Sequence, residues 1–294
     1  MKCIFCGVDS SDSKSVEHII PESFGNTTAI LRKCVVCDKC NNYFSRKVEG
    51  PFLNTEAIRL LRQELEIKKK NGNVITRFAY PQVGKEYVHQ ISEDRYIIYT
   101  TEEKTEKELA SSVAQYQNYM SVSDGVLLKE DYHTSRLLAK MAVEFFVYEN
   151  GSTDEICEYV LSDEVFQNIR KYARFGDNKT WAYNARRIYS RNEAYEDDIF
   201  KSISWEATFL FLGNGEVYFI VAMYGIEYAL NLGGSYIDGY KFWLKQNNEI
   251  SPLYITHEDW EKNFNEYRAK IAGVQSKSVI YEFGPEINEN KKNN

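Results

Sequence analysis

Two cysteine pairs, Cys3-Ile4-Phe5-Cys6 and Cys37-Asp38-Lys39-Cys40, place the tightest constraint on what this chain can fold into. Two spacer residues let both sulfurs of a pair turn towards one ion, so four thiolates in two such knuckles supply a closed tetrahedral zinc site. Thiol redox chemistry is the competing use of a Cys-x-x-Cys pair. It calls for a single pair beside a strand-helix-strand pattern, and nothing of that kind surrounds Cys3. A bare zinc ribbon has about 15–20 residues between its pairs. Here 30 residues separate Cys6 from Cys37, and the extra chain contains Glu17 and His18. Cys34 and Cys157 are left over. Cys34 lies near enough to Cys37 to substitute as a ligand, although the regular pairing of Cys37 with Cys40 makes it the outsider.

With 294 residues and 43% hydrophobic side chains, the chain can bury a full core in one large or two ordinary domains. It contains no apolar run of about 18 residues, and Met1-Lys2-Cys3 leads straight into the first knuckle. Neither a membrane span nor a signal peptide is expected, which predicts a cytoplasmic protein whose thiols are reduced and free for metal. The formal charge of -7 argues against indiscriminate DNA binding, because phosphate contacts come from Lys and Arg. That charge is uneven: residues 1–50 carry seven basic and six acidic side chains, hence +1, leaving -8 for the rest. Local contacts, or a partner that delivers the substrate, fit this distribution.

Residues 2–5 and 29–36 read as short strands with a turn at Gly25-Asn26, followed by a helix from about Asp38 that Gly50-Pro51 ends. A second helix starts at Asn54 or Thr55, carries Ile58, Leu61 and Leu65 on one face, and stops at the lysine run 68–70 before Asn71-Gly72. Beyond it come β segments at 73–80 and 95–100, and a long helix capped by Asp131 with a core stripe of Leu137, Leu138, Met141, Phe145 and Tyr148. A helix at 165–174 precedes three segments rich in aromatic and aliphatic residues, 205–212, 217–223 and 228–232. The first two are joined by the hairpin signal Gly213-Asn214-Gly215. A closing helix at 258–271 and a polar tail at 288–294 complete the pattern. The expected fold class is α+β: a small zinc-bound head, residues 1–52, a helical connector, 53–72, and a larger α+β domain with an antiparallel β-meander, 73–294. In that meander Trp205, Phe209, Phe211, Tyr218 and Phe219 are expected in the core rather than stacked on bases.

Hydrolysis of a phosphodiester needs a base to take a proton from water and a cation to neutralise charge on the phosphoryl and leaving oxygens. Adjacent Glu17 and His18 are of the right types. On extended backbone, however, they point to opposite faces, so sharing a pocket requires a turn, which Pro21 and the polar loop behind it allow. Glu17-His18-Ile19-Ile20-Pro21 between two Cys-x-x-Cys pairs, ending in Cys40-Asn41, resembles the HNH endonuclease family in its zinc-knuckle form, with the β-β-α-metal fold. The resemblance covers about the first 50 residues. It implies that His18 is the general base, that Glu17 and Asn41 hold a catalytic divalent cation, Mg²⁺ or Mn²⁺, and that zinc on Cys3, Cys6, Cys37 and Cys40 is structural. The family's middle Asn is missing from the stretch just before the second knuckle, and Asn26 is the candidate substitute. Arg46 and Lys47, one turn past Asn41, are candidate phosphate contacts, and Glu49 is a weaker candidate for an extra ligand.

The resemblance thus implies a metal-dependent endonuclease acting on DNA, with RNA also admissible, in a layout often found in bacterial anti-phage defence or mobile elements. Its expected partners are nucleic acid, an activating protein or ligand, and a second copy of the chain, with no membrane. The alternative reading is a non-catalytic zinc-stabilised module that binds nucleic acid or protein.

Overall fold

The computed structural model describes residues 1–24, 26, 28–55, 58–59, 61–62, 77–78, 86–92, 95–100, 128, 130–188 and 205–254. The lysine run 68–70, the expected closing helix 258–271 and the tail 288–294 lie outside the described residues.

The head is a reduced ββα unit. Neither expected strand forms over its full length, and isolated bridges pair Lys2 with Asp9 and His18 with Ile30. The first knuckle has to turn, with Gly7 N–H donating to the Cys3 carbonyl at 2.8 Å and Gly7 at φ 71°. The 29–36 segment is broken at Cys34, φ 76°. What remains is a short antiparallel ladder in which Ile19 N–H donates to Ala29 O (3.1 Å) and Leu31 N–H to Glu17 O (2.9 Å).

Helix α1, Asp38–Phe44, begins where expected, with the Cys37 sulfur accepting the Cys40 N–H as an N-cap. Gly50-Pro51 does not end it. The chain widens into a π turn over Ser45–Glu49 and continues as α2, Gly50–Leu53. Pro51 sits in the first turn of α2, where its missing N–H costs least. The Lys47 carbonyl, four residues earlier, accepts instead from Arg136 Nη1 at 3.4 Å. Residues 58–59 and 61–62 are helical again, with Ile58 and Leu61 buried.

Three strands, β1 (Arg77–Phe78), β2 (Glu86–Ser92) and β3 (Arg95–Thr100), form one antiparallel sheet. Helix α3, Tyr132–Glu149, follows, capped by Asp131 accepting the Thr134 N–H at 2.7 Å. Every residue from Thr134 to Val147 is buried, so the helix is enclosed on all sides and is the central element. Helices α4 (Asp154–Ser162) and α5 (Glu164–Phe175) precede a second antiparallel sheet of β4 (Tyr183–Arg187), β5 (Trp205–Phe211), β6 (Val217–Met223) and β7 (Ile226–Asn231), in the order β4-β7-β6-β5. Helix α6, Asp238–Gln246, packs Tyr240 and Leu244 against this sheet. The last meander strand begins two residues earlier than its composition indicates, because β6 and β7 are joined by Tyr224-Gly225 alone, both at positive φ.

One hydrophobic core runs from the knuckles through α3 to the second sheet. Phe145 of α3 meets Phe209 and Phe219 of the sheet at centroid distances of 5.5 and 5.6 Å. Phe24 of the head is edge-on to both Phe52 and Tyr224, whose hydroxyl donates to the Phe24 carbonyl at 2.6 Å. The aromatic residues Phe209, Tyr218 and Phe219 are therefore core. Phe52→Ala should cost about 3–5 kcal/mol in urea unfolding, the range for a fully buried aromatic ring. A loss below about 1 kcal/mol would show that this contact between head and sheet is not part of the core.

Candidate active site and zinc centre

The four knuckle sulfurs lie within 4.8 Å of one another, with Cys6 and Cys37 at 3.6 Å. A tetrahedron with zinc–sulfur bonds of about 2.3 Å places its sulfurs about 3.8 Å apart, so these residues fit zinc in kind, number and spacing. Packed thiols alone share their protons unequally. The hydrogen bond with Cys40 brings Cys3 down to about 5, the same contact pushes Cys40 up, and burial pushes Cys6 up to about 11. A divalent cation is what lets all four ionise together. Cys34 stays outside the cluster, its thiol donating to the Ser11 carbonyl at 3.2 Å.

Between the knuckles the backbone stays extended through Glu17-His18, so the two side chains take opposite faces. His18 is half-buried on the outer face. Asn41, near the start of α1, reaches the same segment, donating from Nδ2 to the Val16 carbonyl at 3.0 Å. Asn26 is buried and makes four hydrogen bonds: Nδ2 donates to the carbonyls of Ile20 (2.9 Å) and Ala29 (3.0 Å), and Oδ1 accepts the N–H groups of Thr28 and Ala29 (both 2.9 Å). Both ends of the loop behind His18 are thereby tied together. Arg46 and Lys47 are exposed on the helical face, with Arg46 Nε donating to the Asn42 carbonyl at 3.3 Å.

Glu17 turns inwards, is 5% exposed, and meets a side chain that no local pattern announces. Lys140, fully buried on α3, places Nζ 2.8 Å from Glu17, 3.0 Å from Glu49 and 2.9 Å from Glu144. It also donates to the carbonyls of His18 at 3.0 Å and Ile19 at 3.4 Å. Burial opposes the Lys140 charge, but the three carboxylates outweigh it and hold the ammonium protonated well above its usual range. Three carboxylates on one ammonium are one-sided: burial pushes Glu17 up to about 7 and Glu144 well up, and Glu17 Oε2 and Glu144 Oε1 have no hydrogen-bond partner among the described residues.

The cation-binding role expected of Glu17 does not match this placement. Magnesium keeps several of its waters, whereas Glu17 is enclosed and its charge is already taken by Lys140. The residues that sequence reasoning missed, Lys140 and Glu144, left one legible trace: a Lys and a Glu at i,i+4 inside an otherwise apolar helix.

Because Glu17 is raised from 4.5 to about 7 on folding, its protonation favours the folded chain. That contribution is complete below the unfolded value and is lost as pH rises through about 7. In urea unfolding of zinc-loaded chain, the stability of Glu17→Gln relative to the parent should therefore rise from about pH 6 to about pH 8, a comparison in which the proton uptake by the thiolates on zinc release cancels. The same pH dependence of stability in Glu17→Gln and parent would contradict this assignment.

Among known proteins, residues 3–56 match the model of a family described as HNH endonuclease. No curated protein and no solved structure matches the chain. Among the described residues no helix is long and apolar enough to cross a membrane. The family match spans both knuckles, the Glu17-His18 ladder and all of α1 and α2, and over that stretch the chain is similar to HNH endonucleases.

Proposed function

We propose that the head hydrolyses phosphodiester bonds in DNA, with His18 as the general base that takes the proton from the attacking water. The observation that carries this reading is the contrast at His18 between a fixed backbone and a half-exposed side chain. Its backbone is bridged to Ile30 on one side, and its carbonyl is held by Lys140 on the other. A base held this way keeps its geometry while remaining within reach of substrate. In this reading Asn26 performs the task of the family's middle Asn, restraining the loop that follows the base, and Asn41 steadies the segment from the α1 side. Arg46 and Lys47 contact phosphates beside the cut, supplying positive charge locally in a chain of net charge -7.

The surrounding acidic bulk supports recruitment by a protein or ligand, or pairing of two chains for a double-strand cut, in preference to free scanning of DNA. Anti-phage defence or a mobile element is the setting we propose, on the layout of a small nuclease head joined to a larger α+β region.

A second reading, a zinc-stabilised binding module without catalysis, is favoured by one observation: Glu17 is closed off by Lys140. The two readings separate on plasmid DNA incubated with Mg²⁺ or Mn²⁺, the cations that the family resemblance implies. The parent should nick or linearise it, and His18→Ala should cut about 10²–10⁴-fold more slowly, the usual contribution of a positioned base. Equal rates for parent and His18→Ala would remove the nuclease reading.

A further inference from the structure

A zinc ion on four thiolates carries a net charge of -2, and Cys3, Cys37 and Cys40 are buried. Charge of that size placed inside a protein needs compensation. Besides the Cys40 N–H on the Cys37 sulfur, the head supplies no buried cation: Lys2, Lys14, Arg32, Lys33, Lys39, Arg46 and Lys47 are exposed. The compensating groups come from α5, more than 120 residues downstream of the second knuckle.

Arg170 and Arg174 lie one turn apart on α5, both buried. Arg170 reaches into the first knuckle, its Nε donating to the Ile4 carbonyl at 2.5 Å and its Nη2 to the Phe5 carbonyl at 3.2 Å. Those carbonyls belong to the two spacer residues between Cys3 and Cys6, and both sulfurs act electrostatically on the guanidinium. Arg174 attends the second knuckle. Its guanidinium favours the ionised form of the Cys40 sulfur and lies 3.6 Å from the centroid of the Tyr43 ring, one turn past Cys40, while its buried Nε has no hydrogen-bond partner among the described residues. Among the described residues none of the ion pairs involves Arg170 or Arg174. Two buried cations with no carboxylate partner among the described residues therefore stand beside a group whose zinc-loaded state carries two negative charges.

We propose that Arg170 and Arg174 are the charge-compensating partners of the zinc tetrathiolate, so that α5 sets how tightly the head holds its metal. Arg170 acts through the first knuckle by fixing its backbone and offsetting charge on Cys3 and Cys6. Arg174 acts on the second from its place over Tyr43, offsetting charge on Cys40. The inference is independent of the nuclease reading, because it concerns zinc affinity and holds equally for a binding module.

The test measures zinc dissociation by competition with a chromophoric chelator on full-length chain, with thiolate-to-cobalt charge-transfer absorption of the cobalt-loaded protein as a second readout. Cooperative unfolding of each zinc-loaded variant checks the fold. Arg170→Met and Arg174→Gln should each weaken zinc about 10–100-fold, the usual effect of losing a group that supports a metal ligand, and Arg174→Gln should shift the cobalt band. Arg174→Lys, which keeps the charge, should stay near the parent. If the neutral variants do not fold even in excess zinc, Arg174→Lys decides: a parent-like constant supports compensation by charge, and a constant about 10-fold weaker overturns it. Folded Arg170→Met and Arg174→Gln chains with the parent's affinity and cobalt spectrum would also overturn the proposal, leaving the arginines as packing.

Discussion

The structure depends on one buried ammonium. Lys140 gathers Glu17, Glu49 and Glu144 and the carbonyls of His18 and Ile19 around a single nitrogen, so it touches the ββ ladder, the π turn and α3 at once. A lone charge in that position would be untenable. Paired, it fixes where three separate parts of the chain meet, because no other cation among the described residues is placed to neutralise those carboxylates. Such clusters contribute more to a specific geometry than to net stability. Here the geometry they specify is the position of His18.

A ββα unit of about 50 residues buries so little apolar surface that its stability alone is marginal. Regular structure in this head is scant, since its strands are reduced to single bridges. It is held instead at three levels. Four thiolates are placed for a zinc ion. Asn26 and the Lys140 cluster satisfy the loop backbone with side chains where a longer sheet would have used strands. Ile4, Ile19, Phe44 and Phe52 then share a core with Leu137, Met141 and Val143 of α3. Glu17 is thereby turned inwards and enclosed, whereas His18 is half-buried and Arg46 and Lys47 are exposed.

Much of the head was legible because its residues carry local signals. The knuckle spacing located the four clustered cysteines, and Cys37-Asp38 located the start of α1. The meander and the α3 stripe were also readable, from hairpin glycines and 3.6-residue periodicity. What was hidden involves contacts over long sequence separation. Lys140 lies 123 residues from Glu17, and α5 delivers Arg170 and Arg174 to knuckles at the other end of the chain. Tyr224 concealed its turn because an aromatic residue at positive φ is unusual, and its hydroxyl's bond to the Phe24 carbonyl is a tertiary reason that no window of sequence displays. Gly50-Pro51 reads as a helix stop, and the π turn before it removes the stop by changing the register.

The central claim is that head and downstream region are one cooperative unit joined at Lys140, and native-state amide hydrogen exchange tests it most directly. The account predicts that the Ile19 and Leu31 amides of the ladder exchange with the same opening free energy, and the same urea dependence, as Val143 of α3 and Ile220 of β6. Ladder amides that open at markedly lower free energy and without urea dependence, while Val143 and Ile220 stay protected, would contradict it.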